Sequence, residues 1–315
     1  MYCKANFWRP TGLGNRLFSW ARARVFAEQT GYTLLAPNWF HLRGASIIRG
    51  GINYKNAVYK ILLFDNFRDD NQSISGIKKA WIKHKYKSIE VVTLNEAFTL
   101  AKEGYAGIIS FSGRKGHDFK ELIQYKNDIR TYLYQIAKNK WKKESDVIGF
   151  PFIGLNIRMG NDFKKTSSGG DFLTNKYDYL QTPLGWYLDT LRSIRSKIRS
   201  DFPAIIVSDG KASDLQTLLQ EPNVSISNSK SAISDLLLLT KSSLLIGSGR
   251  SSFSAWASFL GEMPTFTIPG SNLQSFCVSD NLKKHFVGEY DDHTLSSEIM
   301  NKITNQFGGS QIDDV

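Results

Sequence analysis

Short apolar runs and longer periodic stretches take turns along the chain. Tyr2 to Trp8 is short and strand-like; Asn15 to Gln29 follows, with Leu17, Trp20, Ala21, Arg24, Val25 and Glu28 on one mostly apolar helical stripe; Thr33 to Ala36 is again short. A helical period between two strand-like runs predicts a βαβ opening. Ile89 to Thr93, a helix over Asn95 to Lys102, Gly107 to Phe111 and a long basic helix from about Phe119 to Lys142 continue the rhythm. After a Gly149-Phe150-Pro151 break the pattern restarts: Phe152 to Ile157, a helix from Pro183 to Arg199, Ala204 to Val207, a helix near Ala212 to Leu219, the apolar run Ile233 to Thr240, Leu244 to Ile246, a helix after Ser251, and Thr265 to Ile268. Strands alternating with helices predict an α/β fold whose parallel sheets are covered on both faces. The basic stretch Lys138 to Glu144 running into that break marks a boundary. The expected organisation is one α/β domain over residues 1–148, a second over 149–307 and a mobile tail over 308–315. Arg43 to Gln72 is irregular, and no fixed-period repeat occurs.

Composition narrows the function. At 315 residues, 41% hydrophobic and 13% aromatic, the chain can fill two ordinary cores. Forty Lys and Arg against 29 Asp and Glu leave a formal charge of +11, which favours anionic partners: phosphates, nucleic acid or a lipid surface. Cys3 and Cys277 are the only cysteines, so there is no disulfide framework and no zinc spacing, and a reducing compartment fits. Apolar runs such as Leu236 to Leu239 fall far short of the roughly 18 residues of a membrane span. With no basic-then-apolar leader, the expectation is a cytoplasmic protein, at most peripheral to the inner membrane. Nucleic-acid binding is disfavoured, because the charge is dispersed and no helix-turn-helix, zinc module or aromatic single-strand motif is present.

Ligands of open parallel sheets bind beyond the carboxyl ends of the strands, where helix N-termini aim backbone donors at anions. Three such turns stand out. In RPTGLGNRLF, Arg9 to Phe18, Gly12 and Gly14 allow close backbone approach and Asn15 is placed to cap the next helix. The third glycine of a dinucleotide fingerprint is replaced by Leu17. In FIGLNIRMGNDF, Phe152 to Phe163, a buried strand delivers Arg158, followed by Gly160, Asn161 and Asp162. The planar guanidinium fork suits a diphosphate, and the competing use is an ion pair, for example with Asp162. In IGSGRSSFSAWASFLG, Ile246 to Gly261, the residues Ser248, Gly249, Arg250, Ser251 and Ser252 gather hydroxyls and amides at a helix N-terminus. Capping by Ser251 or Ser252 accounts for one of these serines, and the spacing of Phe253, Trp256 and Phe259 reads as core.

Four stretches in order, GLGNRLFSWARARVFAEQTG, NIRMG, SDG and GSGRSSFSAWASFLG, together resemble glycosyltransferase family 11, the alpha-1,2-fucosyltransferases of bacterial surface-polysaccharide synthesis. The segment Phe111 to Leu133 is also similar, so the resemblance spans nearly the whole chain. It implies a GT-B pair of Rossmann-like domains facing across a cleft, acceptor on the N-terminal side and donor on the C-terminal side. It implies inverting transfer of L-fucose from GDP-fucose to a hydroxyl of an oligosaccharide or lipid-linked glycan, in O-antigen or capsule synthesis, with no metal and no cofactor beyond the donor. Carried over by position, Arg158 holds the donor diphosphate, Gly12, Gly14 and Asn15 face the donor across the cleft, Ser208 and Asp209 lie near the nucleotide, and Ser251, Ser252 and Phe253 lie beneath the phosphates.

The chain also departs from that pattern. Where the family has His-x-Arg-Arg-Gly-Asp, this sequence has Asn156, Ile157, Arg158, Met159, Gly160 and Asn161, with the acid displaced to Asp162. Arg250 stands where the family commonly has Asn, which suggests that it supplies the cation Met159 withdraws. A different deoxy-sugar nucleotide, or a nucleotide-binding relative without activity, stays open beside GDP-fucose. Arg158, Arg250 and the serine-lined terminus suit stabilisation of the leaving diphosphate. Asp162 is the nearest candidate base, with Asp171 and Asp178 as rivals, and a loose transition state can also proceed without one. The long loop Asn161 to Thr182 reads as a lid or acceptor element. His117 is placed to line the cleft, and the basic stretches Lys78 to Lys87, Lys138 to Lys143 and Arg192 to Arg199 could attract an anionic membrane surface.

Overall fold

Alternation along the first strand decides how the N-terminal sheet is clothed. In β1 (Tyr2–Asn6) Cys3 is fully buried and its thiol meets the carbonyl of Ala23 in α1 (Leu13–Thr30), while Tyr2 packs on the other face against Tyr86. This computed structural model describes residues 1–8, 11–39, 63–68, 73–146, 148–159, 180–271 and 273–290. Strands β2 (Thr33–Leu35), β3 (Ser73–Ile74), β4 (Ser88–Val91) and β5 (Ile108–Ser112) complete a parallel sheet ordered β3-β2-β1-β5-β4. Helices α2 (Gly76–Lys85) and α3 (Leu94–Lys102) connect its later strands.

Helix α1 is buried almost throughout, Arg16, Arg22 and Arg24 included, rather than along the single stripe its periodicity predicts. It is sandwiched between its own sheet and the C-terminal half, so its arginines must be tied internally. Arg16 Nε donates to the Thr11 carbonyl at 3.1 Å, Arg22 to the carbonyls of Gly116 and Asp118, and Arg24 pairs with Glu28 at 2.7 Å.

The single long basic helix expected from Phe119 to Lys142 is instead two: α4 (Lys126–Ile136), preceded by a short 3₁₀ turn at Ile123–Tyr125, and α5 (Asn139–Ser145). Ala137 and Lys138 between them are extended, because a distant segment is stapled into the gap. Phe67 bridges Ala137, Lys138 N–H donates to the Asn66 carbonyl at 3.1 Å, and the Asp65 carboxylate takes Lys138 and Lys140 at 2.7 and 2.8 Å. Tertiary hydrogen bonds here override local helix propensity.

The second half runs β6 (Ile153–Ile157), α6 (Leu184–Lys197), β7 (Ala204–Ser208), α7 (Gln216–Leu219), β8 (Val224–Ile226), α8 (Ala232–Leu239), β9 (Leu244–Ile246), α9 (Ser252–Gly261), β10 (Thr265–Thr267) and β11 (Val287–Glu289). Its parallel sheet is ordered β11-β10-β9-β6-β7-β8. Counted from β6, that is the doubly wound 3-2-1-4-5-6 arrangement. The apolar run at Ile233 to Thr240 is helix α8, apolar all round because every residue in it is buried. Two parallel α/β sheets are thus what the alternation and the GT-B resemblance lead one to expect. The edge strands β3, β8 and β11, of two or three residues each, are additions to it.

One aromatic core joins the halves. Phe18 of α1 packs on Phe119, Trp256 and Phe276, and Phe119 stacks on Phe259 of α9 with ring centroids 4.0 Å apart. Phe119 N–H donates to the Phe276 carbonyl at 2.7 Å. At the rim, Glu262 receives Lys126 and Arg130 at 2.9 and 3.1 Å. Among the described residues no helix is long and apolar enough to cross a membrane.

Candidate functional site

In a 3-2-1-4-5-6 sheet the chain leaves the first and fourth strands in opposite directions, and a crevice opens between their carboxyl ends. Here those strands are β6, which releases Arg158 and Met159, and β9, which releases Gly247 to Ser251; the neighbouring β7 releases Ser208 to Gly210. Side-chain hydrogen bonds knit the three exits together. Ser248 Oγ accepts from Arg158 N–H at 2.9 Å, and lies 2.9 Å from the Asn156 carbonyl and 2.8 Å from the Tyr187 hydroxyl. Burial pushes the Tyr187 phenol well above its ordinary pKa, against hydrogen bonds to Ser248 and Thr182, so it stays neutral and donates. Gly249 N–H is held by Thr182 Oγ1 at 3.0 Å, and Gln181 Nε2 donates to the Met159 carbonyl at 3.1 Å.

Arg158 and Asp209, expected separately as donor ligands, are in direct contact. Asp209 Oδ2 lies 2.7 Å from Arg158 Nη1 while Oδ1 accepts from Met159 N–H at 2.7 Å. The ion-pair use of Arg158 therefore exists, with Asp209 as partner. It aims the guanidinium rather than sealing it off, since both side chains keep a fifth or more of their surface. Ser208 Oγ accepts from Gly210 N–H at 2.9 Å, and a Cβ on Gly210 would sit 2.7 Å from Met159 Sδ, so this turn is packed against the Met159 side chain.

Asn156, at the position of the family's histidine, is buried and donates from Nδ2 to Ser254 Oγ at 2.7 Å, anchoring α9 to β6. Ser251 is the α9 N-cap, its Oγ accepting from Ser254 N–H at 3.3 Å. Ser252 and Phe253 are half-buried at the first helical positions, Phe253 against the core joining the halves. Arg250 stands just before the cap with φ at 52°, a left-handed conformation that costs a non-glycine residue on the order of 1 kcal/mol. Its guanidinium reaches toward the Gly270 carbonyl, with Nη2 at 3.4 Å.

The opposing turn is built differently. The N-cap of α1 is Gly12, with no side-chain cap, and Asn15 lies inside the first turn; the capping role expected for Asn15 is not realised because the helix begins two residues earlier, at Leu13. Gly14 makes the close approach its lack of a side chain permits, and makes it to protein: a Cβ there would sit 2.6 Å from Ser252 Oγ and 2.9 Å from the Ser252 carbonyl carbon. The N-termini of α1 and α9 therefore touch, and neither carries an acidic residue in its first turn. Two positive helix ends meet without a resident anion from their own sequence.

His117 lies half-buried behind this junction, its Nε2 3.2 Å from the Gly113 carbonyl and its ring beside Phe18. Burial holds its pKa below the ordinary value, so it is neutral at pH 7. On the exit of the first sheet Trp8 is 44% exposed with the Arg114 guanidinium over its ring. Gly160, Asn161, Asp162, Asp171 and Asp178, with most of the long loop that holds them, lie outside the described residues. Among the described residues no cluster of three or more His, Cys, Asp or Glu has metal-binding geometry. Sequence reasoning did not single out Tyr187 and Thr182. A lone tyrosine in the apolar stripe Leu184, Leu188, Leu191 reads as packing, and only the fold reveals its hydroxyl under the crevice.

No family model matches the sequence, and no curated protein matches it. Among solved structures the chain is similar to NodZ alpha-1,6-fucosyltransferase soaked with GDP-fucose, at 16% identity over 86% of this chain and 96% of that one, with a TM-score of 0.47. It is similar to POFUT1 in complex with GDP, at 12% identity over 84% and 98% of the two chains and a TM-score of 0.49. A mutant of Arabidopsis thaliana FUT1 in complex with GDP is similar at 13% identity over 85% of this chain and 70% of that one, with a TM-score of 0.46. At these identities and scores the likeness does not extend to substrate or site.

Proposed function

We propose that the chain is an inverting glycosyltransferase that moves a deoxy-sugar, foremost L-fucose from GDP-fucose, to a glycan hydroxyl without a metal. The observation that carries this reading is the meeting of two acid-free helix N-termini at Gly14 and Ser252, beside an Arg158 guanidinium aimed by Asp209. Helix ends and a positioned arginine do for a diphosphate what a divalent cation would otherwise do. In the transfer the acceptor oxygen bonds the anomeric carbon as the bond to the diphosphate oxygen breaks. The electron pair departs with GDP, and the acceptor proton passes to a base or to water. Arg158 stabilises the departing charge, Arg250 adds a second cation from the strained turn, and Gly12, Asn15, Ser208, Ser251, Ser252 and Phe253 shape the donor surface. Asp162 is the proposed base, with Asp171 and Asp178 as its rivals.

The motifs that resemble family 11 support the finer reading: an alpha-1,2 linkage, a role in O-antigen or capsule synthesis, and a cytoplasmic enzyme working beside an anionic inner-membrane surface on a lipid-linked acceptor. Asn156 favours a second reading, a nucleotide binder without transferase activity, since the residue in the histidine's place is spent on Ser254. Melting curves with GDP, GDP-fucose and an oligonucleotide, followed by GDP release from GDP-fucose with and without EDTA, separate these. An enzyme is stabilised by GDP at saturation by about 2.7 kcal/mol at a hundredfold excess over Kd and turns over in EDTA. A binder shows the first effect alone. Stabilisation by the oligonucleotide and not by GDP overturns both. Asp162→Asn with near-normal turnover removes that residue from the mechanism.

A further inference from the structure

The face of the first sheet turned away from the second half is covered thinly. Among the described residues helix α2 is the element that lies over it, and the buried side chain of that helix is Ile82, packed among Leu35, Ile108, Tyr2, Ile74 and Tyr86. The remaining apolar residues of α2 point outward: Ile77 is 90% exposed and Trp81 53% exposed, four residues apart and so on one stripe, and Ile89 beyond the helix is 37% exposed. A surface helix ordinarily turns such residues inward. Around them stand Lys78, Lys79, Lys83, His84, Lys85 and Lys87, with no acid from residue 76 to residue 89; the first acid beyond, Glu90, accepts a hydrogen bond from Asn6 at 2.9 Å. The Lys85 ammonium lies 4.6 Å from the Trp81 ring centroid. Burial first, and then the neighbouring Lys83 charge, lower the pKa of Lys4 and of Lys79; Glu90 opposes the shift at Lys4, and Lys79 Nζ donates to the Ala36 carbonyl at 2.6 Å.

We propose that α2 and the start of β4 dock on an anionic lipid bilayer, Ile77 and Trp81 entering the headgroup boundary and the lysines facing lipid phosphates. This deepens the membrane contact in the proposed function by giving it one surface. The occupant follows from the mixture of groups. Lysines alone suit any polyanion, but Ile77 offers nothing to a phosphate or a base and leaves water only by entering an apolar phase. Tryptophan with flanking lysines suits the interface, where the ring is buried and the ammonium stays wet. The two side chains project from a convex helix, whereas a protein partner would need a groove fitted to them. Because α1 and α9 meet on the other side of the sheet, docking through α2 leaves the crevice open to solvent.

The test is sedimentation with vesicles of phosphatidylcholine alone and of phosphatidylcholine mixed with phosphatidylglycerol. The protein is expected to partition to the mixed vesicles only. Lys78→Glu/Lys83→Glu/Lys85→Glu should weaken partitioning by at least about a hundredfold, the loss of three basic residues at their usual worth at an anionic surface, with the added repulsion of three carboxylates. Ile77→Ser/Trp81→Ser, which leaves the charge intact, should weaken it roughly tenfold. The charge-matched control Lys102→Glu/Lys197→Glu/Lys230→Glu, on exposed lysines elsewhere, should retain most binding. Equal loss in the control, no effect of Ile77→Ser/Trp81→Ser, or binding of an RNA oligonucleotide in place of vesicles overturns the proposal. Melting curves with GDP on the same variants report on the crevice separately, so failure at the membrane and failure of the transferase reading are distinguishable.

Discussion

The two helix N-termini that touch at the crevice do the same electrostatic work with opposite construction. That of α9 is capped by Ser251, tied to β6 through Asn156 and Ser254, and braced by Ser248, Tyr187 and Thr182 beneath it. That of α1 has a bare glycine cap and is held further along by buried arginines on backbone carbonyls and carboxylates. A capped terminus has already satisfied one of its orphan N–H groups, whereas a bare one keeps them for another acceptor. The difference teaches that the α9 side is rigid by side-chain hydrogen bonding and the α1 side by packing.

That contrast can be broken experimentally, beginning with the largest effect. Arg158→Ala should lower donor turnover about 10²-fold or more while the melting temperature holds, measured as GDP release from GDP-fucose. Next comes pH. Behind α9, His285 is buried with Nε2 3.1 Å from Ser258 Oγ, and burial, with the Lys126 charge, lowers its pKa to about 4. A base whose folded pKa is depressed contributes its full stability above its unfolded value of about 6.5, and loses it as pH falls from there toward 4. The loss should approach about 3 kcal/mol in urea titrations, and His285→Gln should flatten that slope. The arginines that anchor α1 do not titrate in this range; on that side the counterpart is His117 beside Phe18, whose pKa burial also lowers, so its contribution too is lost as pH falls.

Gly14→Val sharpens the comparison from the other terminus. The new side chain meets Ser252 backbone, and unfolding should become easier by about 1–3 kcal/mol, with GDP stabilisation weakened as well. Ser251→Ala should cost about 1 kcal/mol by denaturant midpoint, where Gly12→Ala, with no side-chain cap to lose, should cost less, roughly 0.5 kcal/mol. Smallest is Arg250→Gly: relief of the left-handed backbone should offset the entropy of glycine to within about 1 kcal/mol, while affinity for GDP falls by calorimetry. Unchanged affinity there would remove Arg250 from the donor site.

Much of this architecture is legible in residue order, because buried parallel strands and amphipathic helices write distinct periods. What escapes is what distant segments decide. The helix break at Ala137 is made by Asp65, Asn66 and Phe67, some seventy positions earlier, and no local signal in the basic stretch announces it. The edge strands β8 and β11 are three residues long, too short for a period to register. At the candidate site the strand exits were readable, since Gly, Ser and Arg between a strand and a helix are locally conspicuous. The Arg158–Asp209 contact, the Tyr187 hydroxyl and the use of Asn156 to hold Ser254 depend on which strands lie side by side, which spacing does not encode.

The aromatic cluster of Phe18, Phe119, Trp256, Phe259 and Phe276 is held in common by both sheets' helical layers. The second sheet keeps a separate core around Leu155, Ile206 and Ile246, but a fragment cut between the lobes would still present half of the shared cluster to water and be prone to associate. Swinging the lobes wide would wet the same rings. Heat should therefore melt the two lobes in one cooperative step.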